Sequence, residues 1–179
     1  SDGATPINNT AQNGHVSIIA LLIDHGADVN QAANHGASPI CMAAKNGYAP
    51  VVALLIEHGA DVNQAASDGR SPIYIAAQNG HESTVALLIQ HGADVNQAAD
   101  DGWSPICIAA QEGHVSIVAL LIEHGADVNQ ATNVGVTPIF IAAQQGHEPI
   151  VALLIQHGAD VNQAANDGAT PISIATAND

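Results

Sequence analysis

Ten histidines, seventeen Asp/Glu and two cysteines are the groups in this chain best suited to chemistry. The histidines fall into two series, His25, His58, His91, His124 and His157, and His15, His81, His114 and His147, with Tyr48 in the second series' missing slot. Each series advances in steps of 33 residues, and only His35 stands outside both. Zinc holds each ligand at ~2 Å, whereas equivalent residues on neighbouring packed helices lie roughly 8–10 Å apart. Histidines on this spacing do not share an ion. Helix-end hydrogen bonds and a favourable dipole contact are the structural reading of the His-Gly-Ala-Asp series, and neither metal nor cofactor is expected.

Acid–base and nucleophilic chemistry fares no better. An active site is a single constellation, while Ser, His and Asp recur here once per 33 residues. The adjacent carboxylates Asp100 and Asp101 sit in a turn signal and read as a solvated loop tip. No G-x-x-x-x-G-K-[ST] loop is present, and Lys45 is the single lysine. The Asp-Val-Asn runs lack the third oxygen ligand and the glycine of a calcium loop. Cys41 and Cys107 occupy the same slot two repeats apart, near 20 Å at helix-packing distance, against the roughly 7 Å limit for a bridge. They are expected as free thiols on helices. No enzymatic activity is expected.

Charge narrows the partners. Two Lys/Arg against seventeen Asp/Glu leave a net charge of −15. Binding to phosphate backbones draws on Lys and Arg, so nucleic acid and anionic membranes are excluded as expected partners. The apolar residues are Ala, Ile, Leu and Val in runs too short to span a bilayer. Two cysteines without a disulfide framework suit a reducing compartment. The expected location is therefore inside the cell, in the cytoplasm, with a secreted effector as the alternative.

The elements that must carry these residues follow from the repeat. HGADVNQA begins at His25, His58, His91, His124 and His157, and Pro-Ile recurs from Pro6 to Pro171 at the same interval, always after Ser or Thr. In the third repeat Asp68-Gly69 signals a tight turn. Ser71 reads as N-cap and Pro72 as first helical residue. The spacing predicts a helix over 72–79, stopped at Gly80, and a second over 82–90 that buries Val85, Leu88 and Ile89. Helices of two to three turns do not persist alone, so repeats must stack on one another. Polar Asn9 and Thr10 suit a first repeat that faces water, and Thr84, at the slot of Ile18, Val51, Ile117 and Ile150, marks the third repeat as weak.

The pattern [ST]-P-I-x-x-A-A-x-x-G-H followed by LLIxHGADVN resembles the ankyrin repeat, a 33-residue unit with a T-P-L-H-x-A signature. The resemblance covers essentially the whole chain. It departs at one place: the signature His is replaced by Asn8, Cys41, Tyr74, Cys107, Phe140 and Ser173. That His stabilises the helix by hydrogen bonding in the family, so local stability is expected to change and the fold is not. The resemblance implies an all-α ankyrin-repeat solenoid of paired antiparallel helices joined by β-hairpin-like loops. It implies one domain over 1–179, with repeats at approximately 1–33, 34–66, 67–99, 100–132 and 133–165 and a partial repeat at 166–179. Continuation of the array beyond Asp179, or a boundary engineered there, is expected.

The resemblance also implies a function, a non-catalytic scaffold for protein–protein interaction that binds its partner along a concave surface of hairpin tips and first helices. Carried onto this chain, the binding positions are His35, Lys45, Tyr48, Asp68, Arg70, Asp100, Asp101, Trp103, Glu112, Val134 and Val136. Trp103, the only tryptophan, follows turn Gly102 and is the expected anchor. The partner is expected to carry a basic surface and the chain to be a monomer. A structural spacer or an engineered array without a dedicated partner is one alternative. Another is a substrate of an asparaginyl hydroxylase, which favours a Leu eight residues before the Asn of Asp-Val-Asn. Asn30, Asn63, Asn96, Asn129 and Asn162 all meet that spacing.

Overall fold

The structure, a computed structural model, describes residues 3 and 5–177. The expected boundary at Asp179 lies outside them. Among the described residues there are helices and turns and no strand. The first helices of successive repeats are α1 (Pro6–Gln12), α3 (Pro39–Lys45), α5 (Pro72–Gln78), α7 (Pro105–Glu112), α9 (Pro138–Gln144) and α11 (Pro171–Ala177). The second helices are α2 (Val16–Asp24), α4 (Ala49–Glu57), α6 (Glu82–Gln90), α8 (Val115–Glu123) and α10 (Glu148–Gln156). Two compact units divide the chain, Ser1–Asp94 and Val95–Asp179. In the first unit α1, α3 and α5 pack side by side as one layer and α2, α4 and α6 as another. The second unit repeats this plan, with α7, α9 and α11 in one layer and α8 and α10 in the other.

Local chemistry explains each element. Thr5, Ser71, Ser104 and Thr137 stand in extended backbone, and their hydroxyls accept the N–H three residues on. Proline follows each cap, where its missing N–H costs nothing. Ser38 differs: its hydroxyl turns to the Cys41 sulfur at 3.5 Å. The Ala pairs Ala43–Ala44, Ala76–Ala77 and Ala109–Ala110 are fully buried, and side chains this small let the first helices approach closely. On the second helices Val52, Val85 and Val118 are closed off from solvent, as are Leu55, Leu88, Leu121 and Leu154. The expected 72–79 helix stops at Gln78, because Asn79 caps it and its Nδ2 donates to the Ile75 carbonyl at 2.8 Å. Helix α6 has the expected bounds. Ile89 is half-buried rather than buried, since it points about 100° around the helix from Leu88.

The first repeat presents both polar and apolar side chains to solvent. Asn9 is exposed and Thr10 Oγ1 donates to the Pro6 carbonyl at 2.8 Å. Yet on α2, Ile18 is 46% and Leu21 59% exposed. The same slot as Ile18 is buried at Val51 and Thr84.

Thr84 is fully buried, and its hydroxyl has no hydrogen-bond partner among the described residues. Desolvating an unpaired hydroxyl costs on the order of 1–3 kcal/mol. The isosteric substitution Thr84→Val is expected to raise stability by about 1 kcal/mol or more, read as a higher urea midpoint at unchanged slope. An unchanged or lower midpoint contradicts this.

Candidate functional site

The hairpin tips are turns held by short hydrogen bonds. In the second repeat Ala33 N–H donates to the Ala37 carbonyl at 3.0 Å and Gly36 N–H to the Ala33 carbonyl at 2.8 Å. The same pair recurs at Ala66, Ala99, Thr132 and Ala165. Neighbouring tips are tied together: Ser67 N–H donates to His35 O at 3.1 Å, Asn133 N–H to Asp101 O at 3.1 Å, and Asn166 N–H to Val134 O at 3.0 Å. The approach is so close that a Cβ on Gly102 would lie 2.5 Å from the Asn133 nitrogen. With φ at +83° as well, that turn has room only for glycine.

On this framework His35, Asp68, Asp101 and Val134 occupy one exposed slot and Asp100 lies beside it. Asp68 Oδ1 accepts Arg70 N–H and Asp101 Oδ1 accepts Trp103 N–H, each fixing its own turn. Arg70 also pairs with Asp68 at 3.3 Å and lies over the Tyr74 ring at 5.6 Å. Trp103 is half-buried rather than exposed, because its slot is at least partly covered at Ala37, Arg70, Val136 and Ala169 too. Lys45 and Glu112 end α3 and α7, and both are exposed. Tyr48 follows α3 and so stands at the opposite end of that helix from the tip. Its ring lies over Gly14, where a Cβ would meet it at 3.0 Å, as His81 lies over Gly47 and His147 over Gly113.

The histidines serve the framework. His25, His58 and His124 donate Nδ1–H to the carbonyl four residues back, each at 2.8 Å. His81 Nε2 meets the Lys45 carbonyl and His147 Nε2 the Gln111 carbonyl, both at 3.0 Å. Carbonyl acceptors fix the proton on those nitrogens, which a metal ligand would need free. Among the described residues no three of His, Cys, Asp and Glu are grouped to hold a metal ion. The backward reach from a second helix to the preceding repeat was not read from the sequence. The regular Gly-His pair was its only signal.

The slot of the missing signature His also has a role. Asn8 Nδ2 donates to the Gln31 carbonyl at 3.1 Å, and the Cys41 and Cys107 sulfurs to the Gln64 and Gln130 carbonyls at 3.4 Å. Asn and Cys thus keep a helix-to-loop bond across 23 residues. Both thiols are free and buried. Burial raises Cys41 and pushes Cys107 up to about 11, against smaller lowering by hydrogen bonds from Ser38 and Ser104.

The Asp-Val-Asn asparagines clamp one repeat to the next. Asn30 Nδ2 donates to Gly59 O at 3.1 Å while its Oδ1 accepts Asp61 N–H at 2.9 Å. Asn63 and Gly92, Asn96 and Gly125, and Asn129 and Gly158 repeat the first of these bonds. Asn162 is exposed.

One cavity belongs to this face. It holds about 560 Å³ between the fifth and sixth hairpins, lined by Val134, Val136, Phe140, Gln144, Ala165, Asn166, Asp167 and Ile174. Val134 and Val136 were legible as departures from the repeat. Phe140 was legible only as a replacement of the signature His, and Asp167 and Ile174 read as ordinary repeat positions. Among the described residues no helix is long and apolar enough to cross a membrane.

A search of curated proteins finds no match. The family model for ankyrin repeats (three copies) matches residues 1–66, 63–132 and 129–179. With its helix pairs, 33-residue register and repeat-to-repeat clamps, the chain belongs to the ankyrin-repeat family, whose repeats generally mediate protein–protein interaction and are typically non-catalytic.

Proposed function

We propose that this chain is a non-catalytic scaffold that binds a protein partner on the face made by its hairpin tips and first helices, and that it does so as a monomer. One observation carries the reading. The clamp residues recur from repeat to repeat, whereas the exposed tip slot runs His35, Asp68, Asp101, Val134, Asp167. A framework that holds its turns while varying what they display suits recognition. The slot that follows runs Ala37, Arg70, Trp103, Val136, Ala169, and there Trp103 offers a large, partly open apolar surface beside Asp100 and Asp101. Such a site favours a partner with basic residues around an apolar contact, and charge of this sign speeds encounter at low salt.

The test is affinity purification at moderate salt, followed by titration of the recovered partner against the intact chain and Trp103→Ala. Sister repeats carry Ala37 and Ala169 at this slot, so the turn accepts alanine. Affinity is expected to fall at least tenfold with the melting temperature unchanged. Failure to retain any partner, or equal affinity for the variant, overturns the proposal.

A further inference from the structure

The fifth hairpin departs from its sisters at two positions at once. In the third, fourth and sixth repeats the tip Asp accepts the N–H two residues on: Asp68 from Arg70, Asp101 from Trp103 and Asp167 from Ala169, at 2.9–3.2 Å. Val134 cannot. There the N–H of Val136 goes instead to Thr132 Oγ1 at 3.1 Å, and Thr132 stands where the other described repeats have Ala33, Ala66, Ala99 and Ala165. The turn is kept by a different bond: Gly135 N–H still donates to Thr132 O, and Thr132 N–H to Val136 O, both at 2.9 Å. The tip position is released from its structural duty and carries a valine that is 59% exposed. That valine borders the 560 Å³ cavity, with Val136, Phe140 and Ile174 giving it apolar walls and the exposed Asp167 a carboxylate. The unit around it, from Val95 to Asp179, has nine Asp/Glu and no Lys or Arg.

We infer that this cavity seats an aliphatic or aromatic side chain of a peptide segment in a partner protein, flanked in that segment by Lys or Arg. The inference rests on the reading of the tip-and-first-helix face as the binding surface. Apolar burial in the cavity anchors the segment, and the one-signed charge around it selects basic neighbours and repels acidic ones.

The probe is a labelled peptide alternating arginine and leucine, with versions carrying alanine for leucine or glutamate for arginine, read by anisotropy at low and moderate salt. Both altered peptides are expected to bind at least tenfold more weakly. The double variant Thr132→Ala, Val134→Asp rebuilds the tip of the sister repeats and so folds. It is expected to lose at least tenfold in affinity although it gains a negative charge, whereas attraction by charge alone would tighten binding. Equal binding of the alanine peptide, no loss in the double variant, or no binding at all overturns the inference. Where the double variant binds fully and Trp103→Ala does not, this cavity is not the site and the broader face reading stands. Where neither variant weakens binding, both fall.

Discussion

Replacing Asn96 with alanine is expected to lower unfolding free energy by about 2 kcal/mol, while the same change at Asn162 is expected to cost under about 0.5 kcal/mol. Asn96 donates Nδ2–H to Gly125 O at 3.1 Å and accepts Asp127 N–H on Oδ1 at 2.8 Å. Both bonds join its loop to the following repeat, and each is worth about 1 kcal/mol net. The backbone carbonyl of Asn96 also accepts Gln130 Nε2–H at 3.0 Å, a bond alanine retains. Asn162 keeps its own N–H on Asp160 Oδ1 at 2.9 Å, a bond alanine also retains, and its side chain is exposed. The two residues share a sequence context, Asp-Val-Asn-Gln, so any difference arises from what the carboxamide touches. Urea midpoints at constant slope measure it. Equal losses at the two positions would show that the asparagine serves its own turn and not the junction.

That contrast marks how far the sequence could be read. The bounds of α6, Glu82–Gln90, were legible because Gly80 and Gly92 enclose it and Val85 and Leu88 fall on one face. The caps were legible because Ser or Thr before Pro has a local cause. What recurs every 33 residues was plain. What each recurring residue touches was not. His81 reaches 36 residues back, Cys107 reaches 23 forward and Asn96 reaches 29 and 31 forward. Such partners exist only once repeats stack, so periodicity identifies the slot and leaves its partner open. The cavity was harder still. Val134 stood out as a valine among polar tips, but Thr132 gains meaning only from its bond to Val136 N–H. Trp103 shows the opposite limit, since a residue's oddity in sequence says little of its burial. Its slot is at least partly covered at Ala37, Arg70, Val136 and Ala169 as well.

The stability of this protein is expected to fall by about 2 kcal/mol between pH 9 and pH 11 through Cys107 alone. Cys107 is fully buried in α7, and burial raises its ionisation from an ordinary 9.0 to about 11. Asp127 adds a smaller push in the same direction, and the Ser104 hydrogen bonds oppose it in part. The folded chain therefore holds the thiol proton where the unfolded chain has released it. With the folded value above the unfolded one, the contribution is fully present below pH 9. It is lost progressively as pH climbs through the folded value near 11, at ~1.4 kcal/mol per pH unit. Ionisation would also remove the proton that the sulfur donates to the Gln130 carbonyl at 3.4 Å. Cys107→Ala is expected to be less stable at pH 7, because it leaves a small cavity and an unpaired carbonyl. Across pH 9–11 its stability is expected to decline less steeply than that of the parent, and the gap between the two to narrow. Cys41 and the remaining titrating groups are common to both proteins and cancel in the difference. Urea unfolding of the pair at pH 7, 9 and 11 provides the measurement. Parallel pH profiles would mean that the buried thiol is not the group that sets the alkaline limit.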